Sequence, residues 1–179
     1  MAMLRNARVW WAKVHQPDKE YHCWTVDVIV DKKTATEFKK AAEEFFAAQP
    51  NAAGKGRMPK ITVDEERSGY VIKIRRNIKK VTGEDNAPPK VVDAGNAPLD
   101  KPIGNDSVAN VQYKFYLWSN KFGKGVGVDL CGVQVMELVP YAGKSDFVED
   151  GDEFAPVGEM KVKKAPEETA SEDVDDLLD

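Results

Sequence analysis

Residues 107–139 read SVANVQYKFYLWSNKFGKGVGVDLCGVQVMELV, and the alternation in this stretch decides the fold class. Along Ser107–Trp118 the apolar side chains of Ala109, Val111, Tyr113, Phe115 and Leu117 occupy every second position, and Asn110, Gln112, Lys114, Tyr116 and Trp118 lie between them. A period of two is that of a strand with one face turned to a core. Gly125–Val139 reads as its partner, with Ser119–Lys124 as the connecting loop.

Working outward, Tyr21–Val30 sets Trp24, Val26, Val28 and Val30 against Cys23, Thr25, Asp27 and Ile29, which predicts another strand with one apolar face. Leu4–Val14, rich in β-branched and aromatic residues, precedes it as a first strand, with a turn at Gln16–Asp18. Trp11 and Trp24 are assigned to the core. Thr34 and Glu37 have the spacing of a capping box and predict that a helix begins at Thr34. Phe38, Ala41, Ala42, Phe45 and Phe46 then recur at helical spacing to about Ala48, before Gln49 and Pro50 end the run. Residues 51–60 form a loop, and Tyr70–Arg76 is a third strand with Tyr70, Ile72 and Ile74 on one face and Lys73 and Arg75 on the other. A loop at Thr82–Pro89, a short strand at Lys90–Val92 and a Gly/Pro-punctuated connection from Gly95 to Gly104 complete the body. Several strands with one helix make a mainly β, partly open barrel of the OB-like type the most economical architecture.

The formal charge of −4 averages two segments of opposite sign. Residues 146–179 carry 13 acids and three lysines, net −10, whereas residues 1–145 carry 23 Lys and Arg against 17 acids, net +6. The expected organisation is a basic folded domain over 1–145 and a disordered acidic tail over 146–179, because the tail lacks the apolar content to order itself. A basic body favours an anionic partner. No apolar run of about 18 residues and no signal peptide are read, so the expected setting is the cytosol, without membrane contact. Cys23 and Cys131 fit buried thiols in a reduced compartment.

Catalytic signatures are missing from the residues. Around Gly123-Lys124 a phosphate-binding loop would need glycine where Trp118 stands and Ser or Thr where Gly125 stands. His15, His22 and Cys23 have no spaced partner pair to complete a zinc site, and no nucleophile elbow occurs. Neither a cofactor nor a metal is expected. A metal-dependent nuclease using scattered acids is the weakest reading, and a protein-interaction or recombination-mediator module is the nearer rival.

Aromatic residues interleaved with cations on strand faces carry the positive signal. Single-stranded nucleic acid presents unstacked bases and phosphates, so its binder needs π-faces and positive charge together. Lys114, Tyr116 and Trp118 supply both on one face. Lys73 and Arg75 add charge on another strand, and Arg8 with Trp10 repeats the pairing on the first. Arg57, Lys121 and Lys124 come from loops. The bland alternative is a set of solvated strand faces with an ordinary share of aromatics. In the tail, Asp173, Asp175, Asp176 and Asp179 surround Leu177 and Leu178, a pattern that can imitate a phosphate backbone and offer an apolar pair to a partner, or merely confer solubility.

The segments YHCWTVDVIVDKKTATEFKKA (21–41), PKVVDAGNAPLDKPIGNDSVANVQYKFYLW (89–118) and NKFGKGVGVDLCGVQVMELVPY (120–141), with the acidic tail, resemble the single-stranded DNA-binding proteins of tailed bacteriophages. The resemblance implies an OB-type barrel, sequence-independent binding of single-stranded DNA in DNA replication, recombination and repair, and tail contacts with phage DNA polymerase and helicase-primase in the host cytoplasm. A homodimer is among the assemblies it allows. The sequence departs from the family in placing its helix after the second strand and in ending Leu-Leu-Asp without a terminal Phe.

Overall fold

In the computed structural model, which describes residues 1–50 and 54–141, the chain is organised around a long first strand, β1 (Ala2–Asp18). One edge of β1 pairs antiparallel with β2 (Cys23–Val30) and the other with β6 (Ser107–Asn120); Arg8 and Val9 lie in both ladders, opposite Ile29 and Val28 on one side and Val108 and Ser107 on the other. Strand β2 pairs with β4 (Gly69–Asn77), and β6 with β7 (Gly123–Glu137). The parallel register pair Arg75↔Asp129 between β4 and β7 closes the five strands into a barrel. Two four-residue strands extend the sheet at its edges: β3 (Ile61–Asp64) beside β4, and β5 (Lys90–Asp93) parallel to β7.

The predicted alternation fills the interior. Val9, Val14, Val26, Val28, Ile72, Ile74, Ala109, Val111 and Leu130 are all sealed from solvent, and Trp24 joins them as predicted. The β-branched Val and Ile side chains among them are rotamerically stiff and pack well on a pleated surface. The helix α1 (Lys32–Ala47) lies between β2 and β3. It buries Ala35, Phe38, Ala42 and Phe46, with the Phe38 ring 5.3 Å from Tyr113 and 5.4 Å from Phe115. Truncating Phe38 to Ala would cost about 3–5 kcal/mol by the usual cavity cost of a buried ring.

Several boundaries differ from the sequence expectation, each for a local reason. The helix starts three residues early, because the Asp31 carboxylate, not the Thr34 hydroxyl, caps it by accepting from the Thr34 amide at 2.7 Å. Strand β1 runs through Gln16 and Pro17 to Asp18, and the turn is Lys19–His22, whose start is fixed by Asp18 accepting the amides of Glu20 and Tyr21. The β6–β7 connection shrinks from six residues to Lys121-Phe122, since Asn120↔Gly123 and Ser119↔Lys124 are still paired. Leu117, predicted for the apolar face, is exposed. Strand β2 is covered on both faces, with Cys23, Asp27 and Ile29 buried as well. Strand β3 has no counterpart in the sequence reading. The acidic segment 146–179, including Asp173, Asp175, Asp176, Leu177, Leu178 and Asp179, lies outside the described residues.

Candidate nucleic-acid interface

Barrel closure brings residues from β4, β6 and β7 onto one outer face. Tyr116 and Trp118 on β6 stand opposite Gly127 and Gly125 on β7. These two glycines are what let the rings lie across the neighbouring strand. A Cβ at Gly127 would fall 2.2 Å from Tyr116 Cζ, and one at Gly125 would fall 2.8 Å from Trp118 Cζ2 and 2.3 Å from the Arg57 carbonyl. Only glycine permits so close an approach. The rings border a groove of about 760 Å³ whose other wall carries Lys60, Arg67, Lys73 and Arg75.

Two carboxylates, Asp27 and Asp64, also line this groove, and they sort the cations into two groups. Asp27, only 7% exposed, sits 3.6 Å from both Arg67 and Lys73. Arg67 is held further by Asp64 at 3.3 Å and lies over the Trp10 ring at 4.5 Å. These pairs satisfy a buried acid that would otherwise be costly. Arg75 and Lys60, by contrast, have no ion-pair partner among the described residues, so their charge faces the groove.

The remaining predicted residues are distributed more widely. Lys114 is tied to Asp129 at 3.3 Å, and Asp129 also receives a two-pronged contact from Arg76, at 2.9 and 3.1 Å. This Arg76–Asp129 pair spans the β4–β7 seam, and the carboxylate holds the guanidinium pKa above its ordinary value. Arg8 reaches Asp106 at 3.3 Å and the Arg67 carbonyl, while Trp10 donates to Asp106 at 2.9 Å, so both belong to a bracing cluster beside the groove. The backbone of Arg57 bonds to that of Lys124 and Val126, which docks the loop after α1 against β7. Lys124 lies over Phe46 at 5.9 Å, and Lys121 over the exposed Phe122 at the hairpin tip. Of the ten predicted body residues, Lys73, Arg75, Tyr116 and Trp118 therefore meet in the groove.

Sequence reading did not place Lys60 and Arg67 in this groove, and it assigned Trp11 to the core. Lys60 and Arg67 flank the unrecognised strand β3 and arrive through it. Trp11, assigned to the core, is 46% exposed. A bulge between Trp10 and Lys13 gives Trp11 a φ of 51°, breaks the alternation and turns its ring outward; the Asn105 side chain accepts the Trp11 amide at 3.0 Å and fixes the kink.

A five-stranded antiparallel barrel closed by one parallel contact, with the order β1-β2-β4-β7-β6, is the OB-type fold, here with its helix after the second barrel strand as the sequence predicted. The solved structures that share it include the single-stranded DNA-binding protein of bacteriophage Enc34, at TM-score 0.58 and 18% identity over 84% of this chain and 87% of that one. The same phage protein in complex with single-stranded DNA matches at TM-score 0.58 and 16% identity, over 79% and 88% of the two chains. The protein gp2.5, a single-stranded DNA-binding protein encoded by bacteriophage T7, matches at TM-score 0.56 and 21% identity, over 84% and 93%. No family model and no curated protein sequence matches the chain.

Proposed function

We propose that this protein is a non-enzymatic, sequence-independent single-stranded DNA-binding protein of phage replication and recombination. The observation that carries the reading is the seating of Tyr116 and Trp118 over Gly127 and Gly125, on the same groove as Arg75 and Lys60, cations without an ion-pair partner among the described residues. Flat aromatic faces accept any base, and the neighbouring charges neutralise the phosphates between stacked bases. That proteins of the same fold bind single-stranded DNA supports the reading.

Within this reading, Arg8, Trp10 and Lys114 brace the face, and Arg57, Lys121 and Lys124 supply positive charge at its rim. The acidic tail, through Asp173, Asp175, Asp176, Leu177, Leu178 and Asp179, competes with DNA for the basic face and recruits phage DNA polymerase and helicase-primase. Its support is composition, a net charge of −10 over residues 146–179 and of +6 over residues 1–145. A chain ending at Lys164 then binds DNA more tightly at low salt, and unchanged affinity removes the competition.

The test of the groove is a fluorescence titration with oligothymidylate of the wild type and of Tyr116→Ala and Trp118→Ala. Quenching in the wild type and weaker binding in both variants is the expected result. Quenching that neither variant alters, or none in the wild type, would return the aromatic face to a protein-interaction role.

A further inference from the structure

On the same outer face, beyond Arg75, a second hollow of about 420 Å³ opens near the β1–β2 turn. It is lined by two aromatic rings, Trp11 and Tyr21, by the ion pair of Lys13 and Asp18, and by Cys23 and Thr25. It shares Asp27, Lys73 and Arg75 with the groove beneath Tyr116 and Trp118, so the two form one continuous track. The register explains the continuity. Lys13 is opposite Thr25 across β1–β2, Thr25 is opposite Arg75 across β2–β4, and Arg75 is opposite Asp129 at the seam.

We infer that Trp11 and Tyr21 form a second base-stacking station, so that a single strand of DNA runs from Tyr116 and Trp118, past the phosphate contact at Arg75, to this hollow. The inference rests on the DNA-binding reading of the main groove and extends its footprint. Three observations carry it. Tyr21 is 67% exposed and Trp11 46%, although large aromatic residues are normally withdrawn from water. The backbone of Trp11 occupies a left-handed conformation that is unfavourable for a bulky residue, and its amide donates to the side chain of Asn105, distant in sequence, which holds it there. Finally, Asp18 bonds Lys13 and accepts the Tyr21 amide, which ties the turn carrying Tyr21 to the strand carrying Trp11 before a base arrives.

Length dependence of binding tests the station. Wild type, Trp11→Ala and Tyr21→Ala are titrated with oligothymidylates of about 4 and about 16 nucleotides, a range that brackets one OB barrel. Each variant is expected to lose about ten-fold in affinity for the longer strand and less than about two-fold for the shorter one, which the main groove can hold alone. Because Tyr21 stands on an exposed turn, its removal leaves the fold intact even if Trp11→Ala perturbs the bulge. Unchanged affinity of Tyr21→Ala for the longer strand, or an equal loss for both lengths, overturns the station while leaving the main groove standing. Failure of the wild type to bind either length overturns the main groove and the station with it.

Discussion

Gly127 lies directly beneath Tyr116, and a methyl group at that glycine would stand 2.2 Å from the ring carbon Cζ. Tyr116 is 38% exposed, so its ring can yield outward, off the strand and away from the position proposed for stacking. Gly127→Ala should therefore leave the melting temperature nearly unchanged, since the displaced ring is the far end of a flexible side chain, and weaken DNA binding about as much as Tyr116→Ala. That loss is about 1–3 kcal/mol for one base stack. Paired melting and binding curves check both halves of the expectation.

Gly125 behaves differently, because a Cβ there meets the Arg57 carbonyl at 2.3 Å as well as the Trp118 ring. The main chain cannot yield as a side chain can. Gly125→Ala should lower the melting temperature by pushing the loop after α1 away from β7, where Arg57 exchanges backbone bonds with Lys124 and Val126. Calorimetry of the two glycine variants side by side separates the loop contact from the stacking contact.

Arg75 and Tyr116 should fail in distinguishable ways. On the proposed reading Arg75→Ala removes a phosphate contact, so a plot of log affinity against log salt should become shallower by about 0.7, the increment for one phosphate on a single strand. Tyr116→Ala removes a stack and should lower affinity with the slope unchanged. Lys73→Ala should have a smaller effect on the slope than Arg75→Ala, since Lys73 is already shared with Asp27.

Acid should loosen the two ends of β2. Lys13 and the turn amides hold the Asp18 carboxyl below the ordinary aspartate value of 3.8, and the Thr34 amide does the same for Asp31 at the helix start. A carboxyl whose folded-state pKa is lowered stabilises the fold fully above its unfolded value and loses that contribution as pH falls through the folded value. The melting temperature should therefore be insensitive to these groups near neutrality and decline below about pH 4. Asp31→Asn keeps a capping side chain but not the titration, so its decline in acid should be shallower; Asp31→Ala should melt a few degrees lower even at neutral pH.

Much of the barrel was legible because its information is local. Val26, Val28, Ala109, Val111 and Tyr113 alternate, and all are buried as the period requires. The features that escaped depend on partners far away in sequence. Trp11 reads as a core residue until Asn105 pins the bulge that turns it out. Asp31 and Thr34 both have the chemistry of a cap, and only the backbone geometry decides for Asp31. Strand β3, four residues at a sheet edge with Thr62 and Val63 exposed, shows no period to detect. The site was half legible for the same reason. Tyr116 and Trp118 stand out on their strand, whereas the pairing of Lys114 with Asp129 exists only after β6 meets β7, and that of Lys73 with Asp27 only after β2 meets β4.

The most direct measurement is the affinity of the intact chain for oligothymidylate across a series of salt concentrations, set beside a duplex of equal length. Binding through cations and stacked bases predicts a straight line of negative slope against log salt, with the single strand bound more tightly than the duplex throughout. A flat salt dependence, or a preference for the duplex, would contradict single-stranded DNA binding at this face.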